Sequence, residues 1–437
     1  MAAPLLDLKE PRVSSGMSKQ ILLFAPKRTY RLQDFLAAAR KLDIHVILAS
    51  DRCKILADMY PQENVVAVSF SHPDRTVTKI KEQIDIQSIS AVLAADDAAA
   101  IPAARVAQAL GLPFNRPSAI RKSRNKFMFR HAMAKAGLPS PQFHLAAIHQ
   151  PPEAILSQVR FPCVLKPLML SGSQGVIRAD DPDGFVHAFL RIRHLLEQPE
   201  MTQHCNRAFR YILIEDYIPG DEYAVEAILT RGQVHLLTIF DKPEPLIGPY
   251  FEETIYVTPS RLPAESRQRL QATLDSACRV LGLHHGPIHA EVRINPKGIF
   301  LLEIAPRTIG GLCSRALRFA SDMSLEELVL RHALGEPPAD LSLQRQASGV
   351  MMIPIPEKGV LKHVHGVEEA RAVPGIVDVQ ITFPLNHELV PLPEGSSYLG
   401  FMFARGASPE AVVEALQAAH AKLRFDILPS LSVVDGI

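Results

Sequence analysis

Two glutamates lie on neighbouring apolar stretches in the second half of the chain. Residues 288–294 and 299–304 are predicted strands, and the turn Asn-Pro-Lys-Gly between them brings Glu303 roughly opposite Glu291. Carboxylates side by side on adjacent strands repel each other, which costs stability unless a cation compensates. Mg²⁺ accepts such carboxylates and fills its other positions with water and phosphate oxygens. The spacing therefore predicts a magnesium site, and two surface glutamates are the alternative.

The strand that carries Glu291 has other polar side chains on the same face. Because side chains of a strand alternate between its two faces, His289, Glu291 and Arg293 share one face and apolar residues occupy the other. We expect His289 and Arg293 to line a substrate pocket beside the metal. The histidine pair at 284–285 lacks the i, i+4 spacing of a zinc site, so we interpret it as structural.

An arginine and two glycines follow the second glutamate. Arg307 lies four residues after Glu303 in the run Glu-Ile-Ala-Pro-Arg-Thr-Ile-Gly-Gly. A guanidinium just outside a metal site can clamp a carboxylate or a phosphoryl group in transfer. Gly310 and Gly311 have no side chain, so their backbone can approach a ligand closely. The run is therefore a candidate catalytic and substrate-binding segment, and a surface salt bridge is the alternative for Arg307.

A lysine and a loop rich in glycine and serine form a second candidate site. Lys166 closes the predicted buried strand 161–165, and a buried lysine needs an anionic partner. The loop Ser-Gly-Ser-Gln-Gly follows, and its candidate phosphate-contacting residues are Ser171, Ser173 and Gly175. Backbone amides of such a loop can donate to phosphate oxygens. The loop lacks the Gly-Lys-Ser/Thr ending of a Walker loop. Because the predicted magnesium site implies a bound phosphate, we interpret the loop as a movable lid over that phosphate.

A predicted strand over residues 211–218 ends at a Pro-Gly bend. The last residues of this strand are Glu215, Asp216, Tyr217 and Ile218. Such a bend exposes backbone donors and acceptors that are able to read the edge of an adenine. Glu222, just beyond the bend, could accept hydrogen bonds from ribose hydroxyls. The stretch is therefore a candidate nucleotide-binding hinge.

Three further charged residues are weaker candidates. Residues 241–253 form a long predicted loop after a strand, and Glu252 or Glu253 at its end could bind a substrate ammonium group. Lys126 begins a basic helix and by itself would be a solvated charge.

The elements that must position these residues begin with an alternation of strands and helices. Strand patterns occur at residues 20–24, 44–49, 64–70 and 89–94, with helical patterns between them. Such alternation predicts an α/β domain with a parallel sheet and right-handed crossovers. The first strand is not followed by Gly-x-Gly-x-x-Gly, which argues against a dinucleotide site. Residues 1–18 are polar and are expected to form a flexible tail.

The rest of the chain contains more strands than helices. Residues 115–126 read as a basic linker, and a proline-rich break after Leu334 precedes a β-rich segment over 345–437 that closes with one helix. We expect this segment to be a separate C-terminal subdomain. The fold class is therefore α/β, with α+β character in the later parts.

The composition excludes several functional classes. The 437 residues carry a formal net charge of +1, which gives no general attraction to nucleic acid or to anionic membranes. No apolar run approaches the length of a membrane span. Five scattered cysteines without a Cys-x-x-Cys pair are typical of reduced thiols. We expect a cytoplasmic protein that has no nucleic-acid or membrane partner.

Taken in order, these motifs resemble the ATP-grasp superfamily, and within it the carboxylate–amine ligases of the L-amino-acid (dipeptide) ligase type. The matching stretches are Lys126, VLKPLMLSGSQGV, LIEDYIPGDEYAVEAIL and HAEVRIN with LLEIAPRTIGG. The resemblance covers nearly the whole chain. It implies a Rossmann-like domain over 19–115, an ATP-grasp domain over 116–340 with a lid subdomain at about 142–217, and the C-terminal subdomain over 345–437.

The resemblance also implies roles for individual residues. The implied ATP-binding residues are Lys126, Lys166, Ser171, Ser173, Gly175, Glu215, Asp216, Tyr217, Ile218 and Glu222. Among them the two lysines contact phosphates, Glu215 and the backbone of 216–218 hold adenine, and Glu222 holds the ribose. The implied substrate-contacting residues are Glu252, Glu253, His289, Arg293, Arg307, Gly310 and Gly311.

Glu291 and Glu303 are the metal ligands that the resemblance implies, and Arg307 stabilises an acyl-phosphate. The implied cofactors are ATP and Mg²⁺, with Mn²⁺ as an alternative ion. Many members of the family have Asn two residues after the second glutamate, where this chain has Ala305, so whether one or two metals bind stays open. The implied partners are a small carboxylate and a small amine, and the family is often homodimeric.

The expected reaction has two steps. A carboxylate takes the γ-phosphoryl group of ATP to give an acyl-phosphate and ADP, and an amine then displaces phosphate to form an amide or dipeptide. A bicarbonate-dependent enzyme resembling biotin carboxylase is one alternative, although the loop is not a pure glycine run and no Asn-Pro-Arg follows Glu303. An ATP-binding regulatory protein without activity is the other.

Overall fold

The first sheet contains four parallel strands in the order β3-β2-β1-β4. In this computed structural model the described residues are 19–27, 29–51, 64–202, 206–336 and 341–429, so the predicted tail over 1–18 lies outside them. The strands of this sheet are β1 (Gln20–Phe24), β2 (His45–Ser50), β3 (Asn64–Ala67) and β4 (Ile89–Ala94). The run Ile21 to Phe24 is fully buried, as expected for a parallel sheet covered on both faces.

Helices cover this sheet and lead into the next domain. They are α1 (Leu32–Lys41), α2 (Pro73–Gln83), α3 (Asp97–Leu110), α4 (Pro117–Arg124) and α5 (Lys126–Lys135). Asp96 caps α3 through its side chain, and Gly111 ends the helix with a left-handed φ of 69°. The predicted basic linker over 115–126 is in fact mostly helix α4, which buries Ala119 and Ile120 and leaves Arg121 exposed.

The lid subdomain is a four-stranded antiparallel sheet in the order β5-β8-β6-β7. Its elements are β5 (Phe143–Ala147), β6 (Cys163–Pro167), β7 (Ile177–Ala179), α6 (Pro182–Leu196), α7 (Pro199–Thr202) and β8 (Tyr211–Asp216). The predicted hairpin that encloses the glycine- and serine-rich loop is present, because β6 pairs with β7 on either side of that loop. Helix α6 packs its apolar face on the sheet through Phe185, Phe189 and Ile192.

The central sheet has eight strands in the order β13-β12-β9-β10-β11-β14-β18-β16, all paired antiparallel. Its strands before residue 345 are β9 (Asp221–Thr230), β10 (Gln233–Asp241), β11 (Ile255–Thr258), β12 (Gly286–Asn295) and β13 (Gly298–Ala305). Helices α8 (Ala264–Leu281) and α9 (Leu325–Ala333) belong to the same part of the chain. Apolar residues of α8 pack in one core with those of strands β9, β10, β12 and β13.

The C-terminal part is not separate from this sheet. Its elements are β14 (Ala347–Ile353), β15 (Gly359–His365), α10 (Val367–Arg371), β16 (Ile376–Ile381), β17 (Glu388–Leu389), β18 (Gly400–Gly406), α11 (Pro409–His420) and β19 (Arg424–Leu428). Strand β14 pairs with β11, so β14, β18 and β16 extend the central sheet, while β17, β15 and β19 form a small sheet of their own. The sequence shows the proline-rich break but not the pairing across it, because pairing depends on backbone bonds between distant segments.

The predicted α/β class is confirmed by the parallel N-terminal sheet and the mixed domains that follow it. Among the described residues, no helix combines the length and the apolar content that a membrane span requires.

Candidate functional site

A cleft of about 750 Å³ lies between the lid sheet and the central sheet. The predicted residues that line it are Lys126, Lys166, Ser171, Ser173, Glu215, Tyr217, Ile218, Glu222, Glu253, Glu291, Arg293 and Glu303. Its other lining residues are Val164, Leu170, Gly172, Val176, Phe251 and Leu302. The cleft therefore has an apolar part and a charged part, as an adenine nucleotide with its phosphates requires.

Glu291 and Glu303 are direct cross-strand partners in the register of β12 and β13, and an irregularity follows Glu291. This is the opposition that the alternation of side chains predicts. Lys126 approaches Glu303 at 3.6 Å and donates to the carbonyl oxygen of Leu170 at 2.6 Å. Lys126 thus links the start of α5, the loop of the lid and one of the two glutamates.

Three glutamates surround a lysine that sequence reasoning did not single out. One carboxylate oxygen from each of Glu222, Glu253 and Glu291 lies within 4.8 Å of the others. Lys242 donates to Glu222 at 2.8 Å, forms an ion pair with Glu253 and approaches Glu291 at 3.7 Å. Its only signal in the sequence is its position directly after the last residue of β10, Asp241.

Burial and charge set the protonation of this cluster. Burial raises the pKa of Glu253 to about 7, and the neighbouring charge of Glu291 adds to that effect. Burial acts in the same direction on Glu291, but the charges of Lys242 and His289 outweigh it and lower the pKa of Glu291. Burial would lower the pKa of Lys242, yet its three glutamate neighbours raise it well above the usual value. Lys242 is therefore the cation that compensates for the three carboxylates.

Lys166 and Glu215 form a buried ion pair inside the lid sheet. Arg130, from α5, donates to the second oxygen of the same carboxylate at 2.7 Å and to the carbonyl oxygen of Leu301 at 2.6 Å. Burial would raise the pKa of Glu215, but Arg130 and Lys166 lower it to about 2. The resemblance implies that Glu215 holds adenine, whereas the structure places its side chain between two cations. Arg130 is a residue that sequence reasoning missed.

The remaining hinge residues differ in what they offer. The backbone N–H of Asp216 donates to Gln142, and that of Tyr217 donates to Pro162, both at 3.0 Å. Tyr217 and Ile218 line the cleft, while Asp216 does not. Of the predicted hinge residues 216–218, only Tyr217 and Ile218 can therefore contact a ligand in the cleft.

Arg293 ties the hinge to the loop over residues 241–253. Its guanidinium donates to Glu222 at 2.8 Å, to the carbonyl oxygen of Ile218 at 2.7 Å and to that of Leu246 at 2.5 Å. It also lies about 5 Å from the ring of Tyr217. The sequence predicts Arg293 as a substrate contact, and the structure shows that three of its five N–H donors already bind groups of the cleft wall.

Arg307 lies beside a neighbouring pocket and not in the main cleft. Its Nε and Nη2 donate to Asp97, the first residue of α3, at 2.9 and 2.7 Å. Asp97 lines that pocket together with Lys126 and Glu303. Burial would raise the pKa of Asp97, but the charges of Arg307 and Arg124 lower it to about 2. The pair joins the N-terminal domain to the segment that follows Glu303, and nothing local in the sequence relates these two residues.

The segment after Arg307 is fixed by a buried arginine. Arg31, next to α1, donates to the carbonyl oxygens of Thr308 and Ile309 at 2.7 and 3.0 Å. From the other side, the N–H of Ile309 donates to Glu226 at 3.1 Å. Glu226 is also a partner of His289, at 2.6 Å. The backbone that follows Arg307 is thus held by residues of two domains.

His289 lies behind the cleft wall and is not one of its lining residues. Its Nε2 lies 3.6 Å from Glu291. Burial opposes its charge, but the hydrogen bond to Glu226 and the nearby carboxylate of Glu291 raise its pKa to about 9. His289 is therefore a cation that orients Glu291, in contrast to the expected substrate contact.

The last predicted residues lie outside the cleft. Glu252 is partly buried, which raises its pKa, and Glu244 adds to this effect. Gly311 has a φ of 57°, and a Cβ there would clash with the ring of Phe401. The absence of a side chain therefore permits both this backbone conformation and this packing. Gly175 has a φ of 71° and lies against the ring of Pro167, where a Cβ would clash.

Three family descriptions match the chain. Residues 36–114 match the ATP-grasp N-terminal domain, 159–316 the ATP-grasp domain and 351–427 the L-amino acid ligase C-terminal domain 2. The chain belongs to the ATP-grasp superfamily. The match over 351–427 is to a domain of L-amino acid ligases, which confirms the resemblance drawn from the motifs.

Individual proteins are also similar to this chain over most of its length. The uncharacterized protein y4rH of Sinorhizobium fredii is 25% identical over 94% of this chain and 84% of its own. The alanine–anticapsin ligase of Bacillus amyloliquefaciens is 24% identical over 68% of this chain and 66% of its own. The crystal structure of L-amino acid ligase from Bacillus licheniformis superposes with a TM-score of 0.77 at 23% identity, over 95% of this chain and all of that one. These matches support an ATP-dependent carboxylate–amine ligase of the amide-forming kind.

Proposed function

We propose that the protein joins an amino acid to an amine through an acyl-phosphate, with ATP and Mg²⁺ bound in the cleft. The observation that carries the proposal is that Lys126 and Lys166 line the same cleft as Glu291 and Glu303. Cations for phosphate oxygens and carboxylates for a hard metal ion are the two halves of an ATP–magnesium site.

The adenine would lie in the apolar part of the cleft. Tyr217 and Phe251 stack there with 6.5 Å between ring centroids, and Val164 and Val176 line the same space. The phosphates would extend toward loop 171–175, whose backbone amides can donate to them. The ribose would pass Glu222, which already accepts hydrogen bonds from Lys242 and Arg293, so we expect it to contribute one oxygen at most.

The carboxylates near Glu291 fit a magnesium ion, because they are hard oxygen donors gathered beside a phosphate-binding loop. Glu291 and Glu303 would hold the ion. Since Ala305 offers no side-chain oxygen, Glu253 is the next carboxylate that can join them. Bound there, the ion would neutralise charge on the phosphate oxygens during transfer, and Mn²⁺ can serve in the same way.

In the first step a substrate carboxylate oxygen attacks the γ-phosphorus of ATP, and the bond to the β-phosphate oxygen breaks to release ADP. Lys126 and Lys166 neutralise the charge on the transferring group. In the second step the amine attacks the acyl carbon, phosphate leaves, and the amine proton passes to solvent. Arg307 donates to the developing oxyanion, and Asp97 fixes the plane of its guanidinium.

The relatives suggest the class of substrate. The alanine–anticapsin ligase is named for joining alanine to anticapsin, so one of its two substrates is an amino acid. We therefore propose that an amino acid supplies the carboxylate here, with Glu252 or Glu253 as the contact for its ammonium group. We further propose a cytoplasmic enzyme, because ATP is the co-substrate, and a homodimer, which light scattering would distinguish from a monomer.

Pairwise incubation with amino acids tests the proposal. We expect ADP and phosphate release that depends on both substrates, with an amide product of matching mass. Glu303→Ala should abolish this turnover, while Glu265→Ala on the exposed side of α8 should not change it. Turnover that depends on bicarbonate would instead support the biotin-carboxylase-like alternative. ATP binding without ADP formation across the whole substrate set would support the inactive regulatory protein.

A further inference from the structure

The loop that is proposed to cover the phosphates contacts the C-terminal part of the chain. The N–H of Gly175 donates to the carbonyl oxygen of Pro393 at 2.7 Å. The side chain of Gln174 donates to the carbonyl oxygen of Glu394, also at 2.7 Å. A Cβ at Gly172 would lie in ordinary contact with Ser396, 3.5 Å from its carbonyl oxygen. Loop 171–175 therefore has a second wall, formed by residues 391–396.

An ion pair holds the same two parts together. Arg191 of α6 forms a forked pair with Glu394, in which Nη2 donates to Oε2 at 2.8 Å and Nε donates to Oε1. The remaining arm of the guanidinium donates to the hydroxyl of Tyr250, in the loop over 241–253. Such two-point pairs are geometrically specific, and this one joins the lid, the central domain and the C-terminal domain.

Residues 391–396 lie between β17 and β18, and β18 is paired within the central sheet. The segment is thus anchored to the sheet that carries Glu291 and Glu303, while loop 171–175 belongs to the small lid sheet. A lid sheet that moves relative to the central sheet must break and remake these bonds.

We propose that residues 391–396 are a catch for loop 171–175, and that Arg191 and Glu394 are positioning residues that hold it over the phosphates of ATP. The inference rests on the proposed function and gives the C-terminal domain a part in it. With the loop held, the acyl-phosphate is shielded from water; with the loop released, water attacks the acyl carbon, phosphate leaves, and the substrate carboxylate is regenerated.

Glu394→Gln tests the catch, because it removes the charge and keeps the shape. Phosphate release and amide formation should be equal in the wild type, and we expect the ratio of phosphate to amide to rise by roughly 3- to 10-fold in the variant, with a higher KM for ATP. The charge-reversed double variant Arg191→Glu with Glu394→Arg should restore part of the coupling. Glu388→Gln, at an exposed ion pair of the same domain, is the matched control and should behave as the wild type.

Hydrogen exchange of peptides covering loop 171–175 gives a readout that is independent of turnover. With a non-hydrolysable ATP analogue bound, the loop should exchange several-fold faster in Glu394→Gln than in the wild type. Wild-type exchange together with a wild-type phosphate-to-amide ratio would overturn the catch. If the wild type forms no amide, the proposed function fails, and the exchange experiment still decides on the catch. If Glu394→Gln does not fold, Arg191→Gln makes the same test from the lid side.

Discussion

Lys166 and Glu215 form a buried ion pair on neighbouring strands of the lid sheet, with Leu213 as the direct cross-strand partner of Lys166. The pair places a positive charge at the cleft and keeps it within reach of loop 171–175. Arg130 shares the same carboxylate, so Glu215 connects the lid sheet to α5. The charge that would meet ATP is thus held in place by Glu215, which Arg130 in turn binds.

The first prediction compares the contribution of Lys166 to ATP turnover with that of loop 171–175. Lys166→Ala should reduce ATP turnover by at least about 100-fold, because it removes a fixed charge facing the transferring phosphoryl group. Ser171→Ala should slow turnover only a few-fold, since the loop can still donate through its backbone amides. Steady-state ADP release measures both. Lys297→Ala, in the exposed turn between β12 and β13, is the control, and equal mild effects of the two test variants would mean that the stretch is an ordinary turn.

The second prediction concerns the lysine among the three glutamates. Lys242→Met should lower the free energy of unfolding by about 3 kcal/mol without metal, because it leaves buried carboxylates uncompensated. Added Mg²⁺ should then stabilise the variant more than it stabilises the wild type, since the ion takes over the role of the ammonium group. Melting temperatures with Mg²⁺ and with a chelator measure this. An identical magnesium response in the two proteins would show that Lys242 does not compete for the metal-binding carboxylates.

The third prediction tests the link between the N-terminal domain and the catalytic segment. Asp97→Asn keeps the size of the side chain but weakens its hold on Arg307, so kcat should fall about 10-fold while KM for ATP stays nearly unchanged. If Asp97 had only a structural role, the variant would have a lower melting temperature but would not show a fall of kcat at an unchanged KM for ATP. Asp74→Asn, at the exposed pair with Arg105, is the matched control. A raised KM for ATP with an unchanged kcat would contradict the assignment.

The fourth prediction concerns pH and two neighbouring histidines. The rings of His285 and His332 lie 4.8 Å apart, and burial is the main cause that lowers the pKa of each to about 4. The unfolded chain binds these protons near pH 6.5, so stability is complete above that pH and falls as the pH drops toward 4. The two groups together should lose several kcal/mol of the free energy of unfolding, and His332→Asn should make that free energy less dependent on pH in urea titrations at several pH values. His187→Asn, on the exposed side of α6, should leave the pH profile unchanged.

The alternation of side chains predicted much of the site. It placed Glu291 and Glu303 opposite each other, because a short turn and a period of two leave few registers open. The same alternation put Arg293 on the correct face, but it could not show that Glu222 and two carbonyl oxygens already use its guanidinium. The face on which a side chain lies is a local property of its strand, whereas its hydrogen-bond partner depends on where the fold places another segment of the chain.

The sequence by itself determined the alternating N-terminal domain, because this depends on local periodicity. It also showed the motifs in their order, and the resemblance of that order to the ATP-grasp family implied the class of reaction. Only the tertiary structure decided which charges meet. Lys242 lies among three glutamates because strands β9, β10 and β12 converge on it, and Asp97 meets Arg307 across a separation of 210 residues. Buried charges must find partners wherever the fold brings them together, and no local pattern encodes that choice.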